Sequence, residues 1–174
     1  MAASEAAGVV VKSNWNNAAG AVSSTAMPLV DESGAATAAT LAWSANNTWS
    51  TPITDQPGNR RMMKGYLDTL NTTTTTITVA GLEDRDYDVY IYCDGDNKTY
   101  TRTAAYTLVA PGGVPVTVTA RDPASTNFAA AFTAGANYVT FTVHGTGFTL
   151  TATPQTGTNI TLRAPVNGLQ IVPR

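Results

Sequence analysis

Apolar and polar residues alternate with period two through most of the chain after residue 72, in short segments separated by Gly, Pro, Asn and Asp. Val114, Val116 and Val118 alternate with Thr117 and Thr119, and Val139, Phe141 and Val143 with Tyr138, Thr140 and Thr142. Phe148, Leu150 and Ala152 do the same against Thr149, Thr151 and Thr153, and Leu169 and Ile171 close the chain after the turn-like Val166-Asn167-Gly168. Successive side chains of a strand point to opposite faces, so each segment predicts a strand with one face for a core and one for water. Further strands are predicted over 86–93, 100–109 and 127–133. In the less regular first 70 residues, strands are expected over Val9–Lys12 and Thr37–Trp43, a long loop over Ala18–Ser33, and one short helical turn within Arg60–Leu70, weakened by Gly65. About eight to ten strands at this spacing predict an all-β, antiparallel β-sandwich in a single domain spanning residues 1–174.

Composition adds how such a fold meets water. Hydrophobic residues make up 43% of the chain and charged residues 13%, against roughly 25% charged in ordinary globular proteins. Solubility therefore falls to neutral polar groups, chiefly Thr, Ser and Asn, with Thr72–Thr76 as the densest run. A net charge of −2 with no extended basic patch argues against a nucleic-acid partner. No apolar run reaches the ~18 to 20 residues of a membrane helix, which argues against membrane insertion. The start, Met1-Ala2-Ala3-Ser4-Glu5, lacks the basic and apolar regions of a signal peptide. A single cysteine, Cys93, forbids an internal disulfide. The Asn-x-Ser/Thr sequons at Asn46, Asn71, Asn97 and Asn159 follow from an Asn- and Thr-rich composition and carry no weight.

Candidate chemistry centres on aromatic rings beside polar groups. In Tyr87–Asp94, period two sets Val89, Ile91 and Cys93 on a core face and Asp88, Tyr90, Tyr92 and Asp94 on the other. Rings that pack on C–H faces beside acids that accept hydroxyl hydrogen bonds are suited to holding sugars; alternatively a second layer covers these tyrosines. Trp15 lies in Asn14-Trp15-Asn16-Asn17, and Trp43 and Trp49 flank Ser44-Ala45-Asn46-Asn47-Thr48. Trp43 reads as a core plug, whereas Trp15 and Trp49 are either plugs or saccharide platforms. Asp94-Gly95-Asp96-Asn97 signals a tight hairpin and also offers oxygen ligands, so Asp94, Asp96 and Asn97 are candidates for a structural calcium ion. In Arg60-Arg61-Met62-Met63-Lys64, Arg61 is either tied to a neighbouring acid or free to donate to a ligand. Catalytic residues are not evident: His144 is the sole histidine, placed at a strand end facing solvent, Cys93 faces the core, and no nucleophile elbow, zinc cluster or phosphate loop is present. A pair of glycosidase carboxylates is not legible among twelve acids.

Three stretches resemble a known architecture: Tyr87–Asp94 continuing into Gly95-Asp96, Asn137-Tyr138-Val139-Thr140-Phe141, and Arg163–Val172 with its Asn167-Gly168-Leu169-Gln170-Ile171 close. Together they are similar to galactose-binding-like or malectin-like jelly rolls, and Asn14–Asn17 and Arg61–Asp68 are similar to modules appended to secreted or surface bacterial proteins. The resemblance implies a jelly-roll sandwich, and in function a carbohydrate-binding module, an adhesion domain or a spacer. Such domains usually begin with a strand that has no convincing equivalent here, which implies either that the N-terminal strand is lacking or that a sheet edge is open. The first functional expectation is a non-catalytic module recognising a polysaccharide or cell-surface glycan. The alternative is a self-assembling surface or filament domain that exchanges strands at the open edge.

Overall fold

A computed structural model describes residues 1–129, 131–156 and 161–174. The chain forms β1 (Met27–Val30), β2 (Ala36–Ser44), β3 (Asn47–Ser50), a single helical turn α1 (Asn59–Met62), β4 (Gly65–Asp68), β5 (Thr75–Tyr92), β6 (Arg102–Val109), β7 (Val116–Asp122), β8 (Tyr138–Pro154) and β9 (Gly168–Pro173). All strand pairs are antiparallel. The result is the expected all-β sandwich, 49% strand, with no closed barrel.

Its axis is the long pair β5–β8, which runs in register on both sides of a shift between Ala80 and Arg85. The first half of β5 also pairs with β2, and its second half with β9. The far end of β8 pairs with β6, which carries β7. The two halves of the long pair thus belong to different parts of one seven-stranded sheet, in the order β1-β2-β5-β8-β6-β7 with β9 on β5, while β3 and β4 form a separate hairpin. A common core joins Trp43, Ile77 and Val79 from one half with Val89, Ile91, Val139 and Phe141 from the other, together with Tyr106 and Ala120. The hydroxyl of Tyr106 donates to the Pro165 carbonyl at 2.7 Å across this interior, as a fully buried phenol requires.

Low charge is managed by threonine. Thr107 and Thr117 are directly opposed on β6 and β7 with hydroxyls 2.7 Å apart, and Thr74 and Thr153 are 3.1 Å apart. Such cross-strand pairs let an exposed sheet face satisfy itself without ions.

Several expected boundaries move. The segments 139–143 and 148–153 are one strand, and the expected 86–93 strand is the end of β5. The Ala18–Ser33 loop contains β1, and Val9–Lys12 is a turn closed by an Ala7–Lys12 bridge. The described part of 127–133 is not strand; Ala130 and the Asn159 sequon lie outside the described residues. Asp94–Asn97 makes no hairpin, because β8 intervenes between β5 and β6 and the segment crosses the interior instead.

The sheet edges are partly blunted. Asn16 acts on β1 as a strand partner would, accepting from Val30 N at 3.0 Å and donating to Val30 O at 2.9 Å. At the other edge, Pro115 precedes β7 and Arg121 is exposed along it, two features that oppose strand addition.

The bend in β5 starts at Gly81, whose φ of 76° lies in the left-handed region and where an added Cβ would strike the Ala38 carbonyl. Gly81→Ala is therefore expected to destabilise the fold by about 2–4 kcal/mol, read as a lowered urea midpoint with unchanged slope.

Candidate functional site

The C-terminal end of β5's polar face, at Tyr90 and Tyr92, is not open to water. The segment before β1 and the chain between β7 and β8 cover it, forming a second apolar cluster of Ala7, Met62, Met63, Tyr92 and Phe128, with Val9, Trp15, Tyr90, Phe132 and Tyr138 packed against it. Tyr92 is fully buried; its hydroxyl donates to Gln170 Oε1 at 2.8 Å and accepts from Val9 N at 2.8 Å. Gln170 in turn donates to Val10 O at 2.6 Å, and Gly8 N donates to Asn59 Oδ1 at 2.9 Å. Gly8 has φ 101°, and an added Cβ would meet Gln170, Trp15 and the Tyr92 hydroxyl at 2.9–3.0 Å, so close seating of this segment depends on glycine.

Of the residues expected on a sugar-facing strand, Tyr92 and Asp94 are therefore interior, because a second layer covers them. Tyr90 is half-buried against Tyr138, with ring centroids 6.3 Å apart. Asp88 accepts from Thr142 Oγ1 at 3.1 Å and lies 3.4 Å from Arg174 Nε.

The calcium candidates sit in a buried polar crossing. Asp94 accepts from Phe128 N at 2.5 Å and Asp96 N donates to the Tyr66 hydroxyl at 3.2 Å. The fully buried Asn97 donates its amide to Asp122 Oδ1 at 2.8 Å and to the Pro123 carbonyl. Among the described residues, no group of three or more His, Cys, Asp or Glu side chains is placed to hold a metal ion. Asp94 and Asp122 line the same cavity of about 180 Å³. Burial pushes Asp94 up to about 6, against the lowering effect of the Phe128 and Gly95 N–H groups. Burial, and then the charge of Asp94, push Asp122 up to about 8.

A cleft of about 1370 Å³ is lined by residues of the β1–β2 hairpin, of β9 and of the 12–20 segment. This exceeds the roughly 300–1,000 Å³ of small-molecule pockets. Leu41, Trp43, Ile77, Leu82, Leu169 and Ile171 give it apolar walls. Trp15 and Trp49 both line it, whereas Asp88, Tyr90, Tyr92 and Asp94 do not. Trp49 on β3 is 56% exposed. Trp15 is half-buried, packed on the second apolar cluster and edge-on to Tyr92 at 6.1 Å, with its indole N–H donated to Lys12 O at 2.9 Å. Trp43 is the plug its strand-end position suggests, donating to Gly20 O at 3.0 Å.

The flanking asparagines are spent on structure. Asn14 donates to Glu32 O at 2.7 Å, Asn16 braces Val30, and Asn17 donates to Met1 O at 2.9 Å. Arg61 also lines the cleft but is tied to Glu5 and, at 3.0 Å, to Asp55. The walls contributed by β9, Leu41 and Leu82 escape sequence reasoning, since no local signal joins residues so far apart in the chain.

His144 lies within β8 rather than at its end, exposed, with ring nitrogens 2.9 Å from Asp86 and 3.4 Å from Asp84. Cys93 is buried, and desolvation raises its thiol far above the ordinary range. No helix among the described residues is long and apolar enough to cross a membrane.

Asp94 and Asp122 both bind protons more tightly in the folded chain than the ordinary carboxylate value near 3.8 allows. Their contribution favours folding at acid pH and is lost as pH rises through about 6 and then about 8. The melting temperature is expected to fall between about pH 5 and pH 9, and Asp122→Asn to flatten the upper part of that fall in a thermal melt series.

No family model and no curated protein matches the sequence. Among solved structures, the chain is similar to TmCBM61 in complex with beta-1,4-galactotriose, at 6% identity over 77% of this chain and 88% of that one, with a TM-score of 0.41. It is also similar to the enzymatically active domain of bacteriophage CBA120 tailspike protein 4, at 14% identity over 78% of this chain, 19% of that one, and a TM-score of 0.37.

Proposed function

We propose that the chain is a non-catalytic module that binds a polysaccharide or cell-surface glycan in the cleft, with Trp49 as its principal contact and Trp15 as its second. The observation that carries this reading is the placement of both tryptophans on one open, apolar-walled cleft of about 1370 Å³, with Trp49 more than half exposed. A large exposed indole costs solvation unless something covers it, and the C–H face of a pyranose ring is a suitable cover. Leu169 and Ile171 on the β9 wall extend the same kind of contact along the cleft.

A second reading, self-association through the β7 edge, is favoured by Val114 and Val116, which are 83% and 51% exposed there. Pro115 and Arg121 oppose it. Sedimentation at high protein concentration decides between them, since a strictly monomeric profile removes the second reading.

Retention on a panel of immobilised polysaccharides tests the first. Trp49→Ala is expected to weaken retention about tenfold, the loss of roughly 1–2 kcal/mol of ring contact, while stability stays within about 0.5 kcal/mol. If the native protein retains no glycan, the reading is lost.

A further inference from the structure

We infer that the cleft selects uncharged glycans and rejects polymers bearing carboxylate or sulfate groups, an inference that rests on the glycan-binding reading. Its ground is the state of the ionic side chains on the cleft wall. Three are cationic, Lys12, Arg61 and Arg85, and three are anionic, Asp31, Glu32 and Glu83. Each cation already has an acidic partner: Lys12 is paired with Glu32, Arg85 with Glu83 at 3.2 Å, and Arg61 with Glu5 and Asp55. The remaining acid, Asp31, holds the β1–β2 turn, its Oδ1 accepting from Ser33 N at 2.9 Å, Ser33 Oγ at 2.6 Å and Ala35 N at 3.0 Å. The Met1 amine on this wall is bonded to Asn17 Oδ1 at 2.7 Å.

A uronate or sulfate entering the cleft meets side-chain cations that already have acidic partners, and loses hydration against Leu41, Leu169 and Ile171. A neutral ring meets the same apolar walls with no such cost. Recognition of anionic sugars depends on guanidinium groups free to donate in pairs, and both arginines here already donate to carboxylates.

The test uses the full chain and a set of neutral polysaccharides, each beside the same polymer oxidised at C6 to its uronate, with heparin as the sulfated probe. The expected result is retention on a neutral polymer, at least about tenfold weaker binding to its oxidised form, and less than about a twofold change between low and high salt. Glu83→Gln frees Arg85, which otherwise lies 6.0 Å from the Tyr87 ring, and is expected to raise binding to the oxidised polymer several-fold. Glu83 is highly exposed, so this variant leaves the core intact. Equal or tighter binding of the native protein to oxidised polymer or heparin, or binding that collapses with salt, overturns the charge selection while leaving glycan binding in place. Failure to retain any polymer, neutral or acidic, overturns both.

Discussion

The pairing of β5 with β8 is the constraint on which the rest of the molecule depends. Each strand is long enough to serve both halves of the sandwich, and the register resumes on the far side of the shift between Ala80 and Arg85. One end of the pair receives β2 and β6, and the other receives β9. Because the strands bend instead of ending, their inward residues face one another across a common core, with Val79 and Leu150 at one end and Val89 and Phe141 at the other. An antiparallel pair of this length also has a polar side throughout. At one end threonines carry that side into water, and at the other it receives the tyrosines of the second apolar cluster.

Much of this was legible in the sequence for a simple reason. Alternation at Val89-Tyr90-Ile91-Tyr92-Cys93 assigns the core face correctly because side-chain direction in a strand is local. Trp43 as a plug and Cys93 as a buried small side chain follow from the same logic, and both are buried as expected. What local patterning does not carry is continuity. Gly145-Thr146-Gly147 reads as punctuation, yet in the fold it is the part of β8 that passes the bend in β5. Nor does alternation say what lies on the second face. Tyr92 looks identical whether it meets water or Phe132, and the answer is set by Gly8, Val10, Asn59 and Gln170, which lie far apart in the chain. The cleft was legible only in part: the Trp15 and Trp49 contexts flagged two of its walls, but β9 and Leu82 join them through tertiary pairing alone.

Scarcity of charge shapes both the interior and the surface. With few ions to place, the chain uses amides as backbone substitutes: Asn16 completes the edge of β1 at Val30, and Gln170 joins the first residues to Tyr92. Two of its carboxyl groups hold an interior crossing. Asp94 and Asp122 fasten the 122–128 segment and the 94–97 crossing to each other from within, at the cost of placing two carboxyls in a poorly solvated site. That arrangement is understandable as an anchor, since each acid satisfies backbone N–H groups that a crossing through the interior would otherwise leave unpaired.

The cleft follows from the same economy. An N-terminal strand laid against β9 would narrow this space with backbone hydrogen bonds. Here residues 8–17 are held instead by side-chain bonds from Asn59, Tyr92 and Gln170 and by their own asparagines on β1 and the loop beyond it. Held in that way, the segment forms part of the cleft wall. Its asparagines are engaged in that holding, Asn14 with Glu32 O, Asn16 with Val30 and Asn17 with Met1 O. What the cleft offers is indole carbons, aliphatic side chains and ion pairs that neutralise one another. Under the proposed glycan-binding reading, a site built from those parts would favour ring shape and hydrophobic faces over charge, in keeping with the sparse ionic composition of the chain.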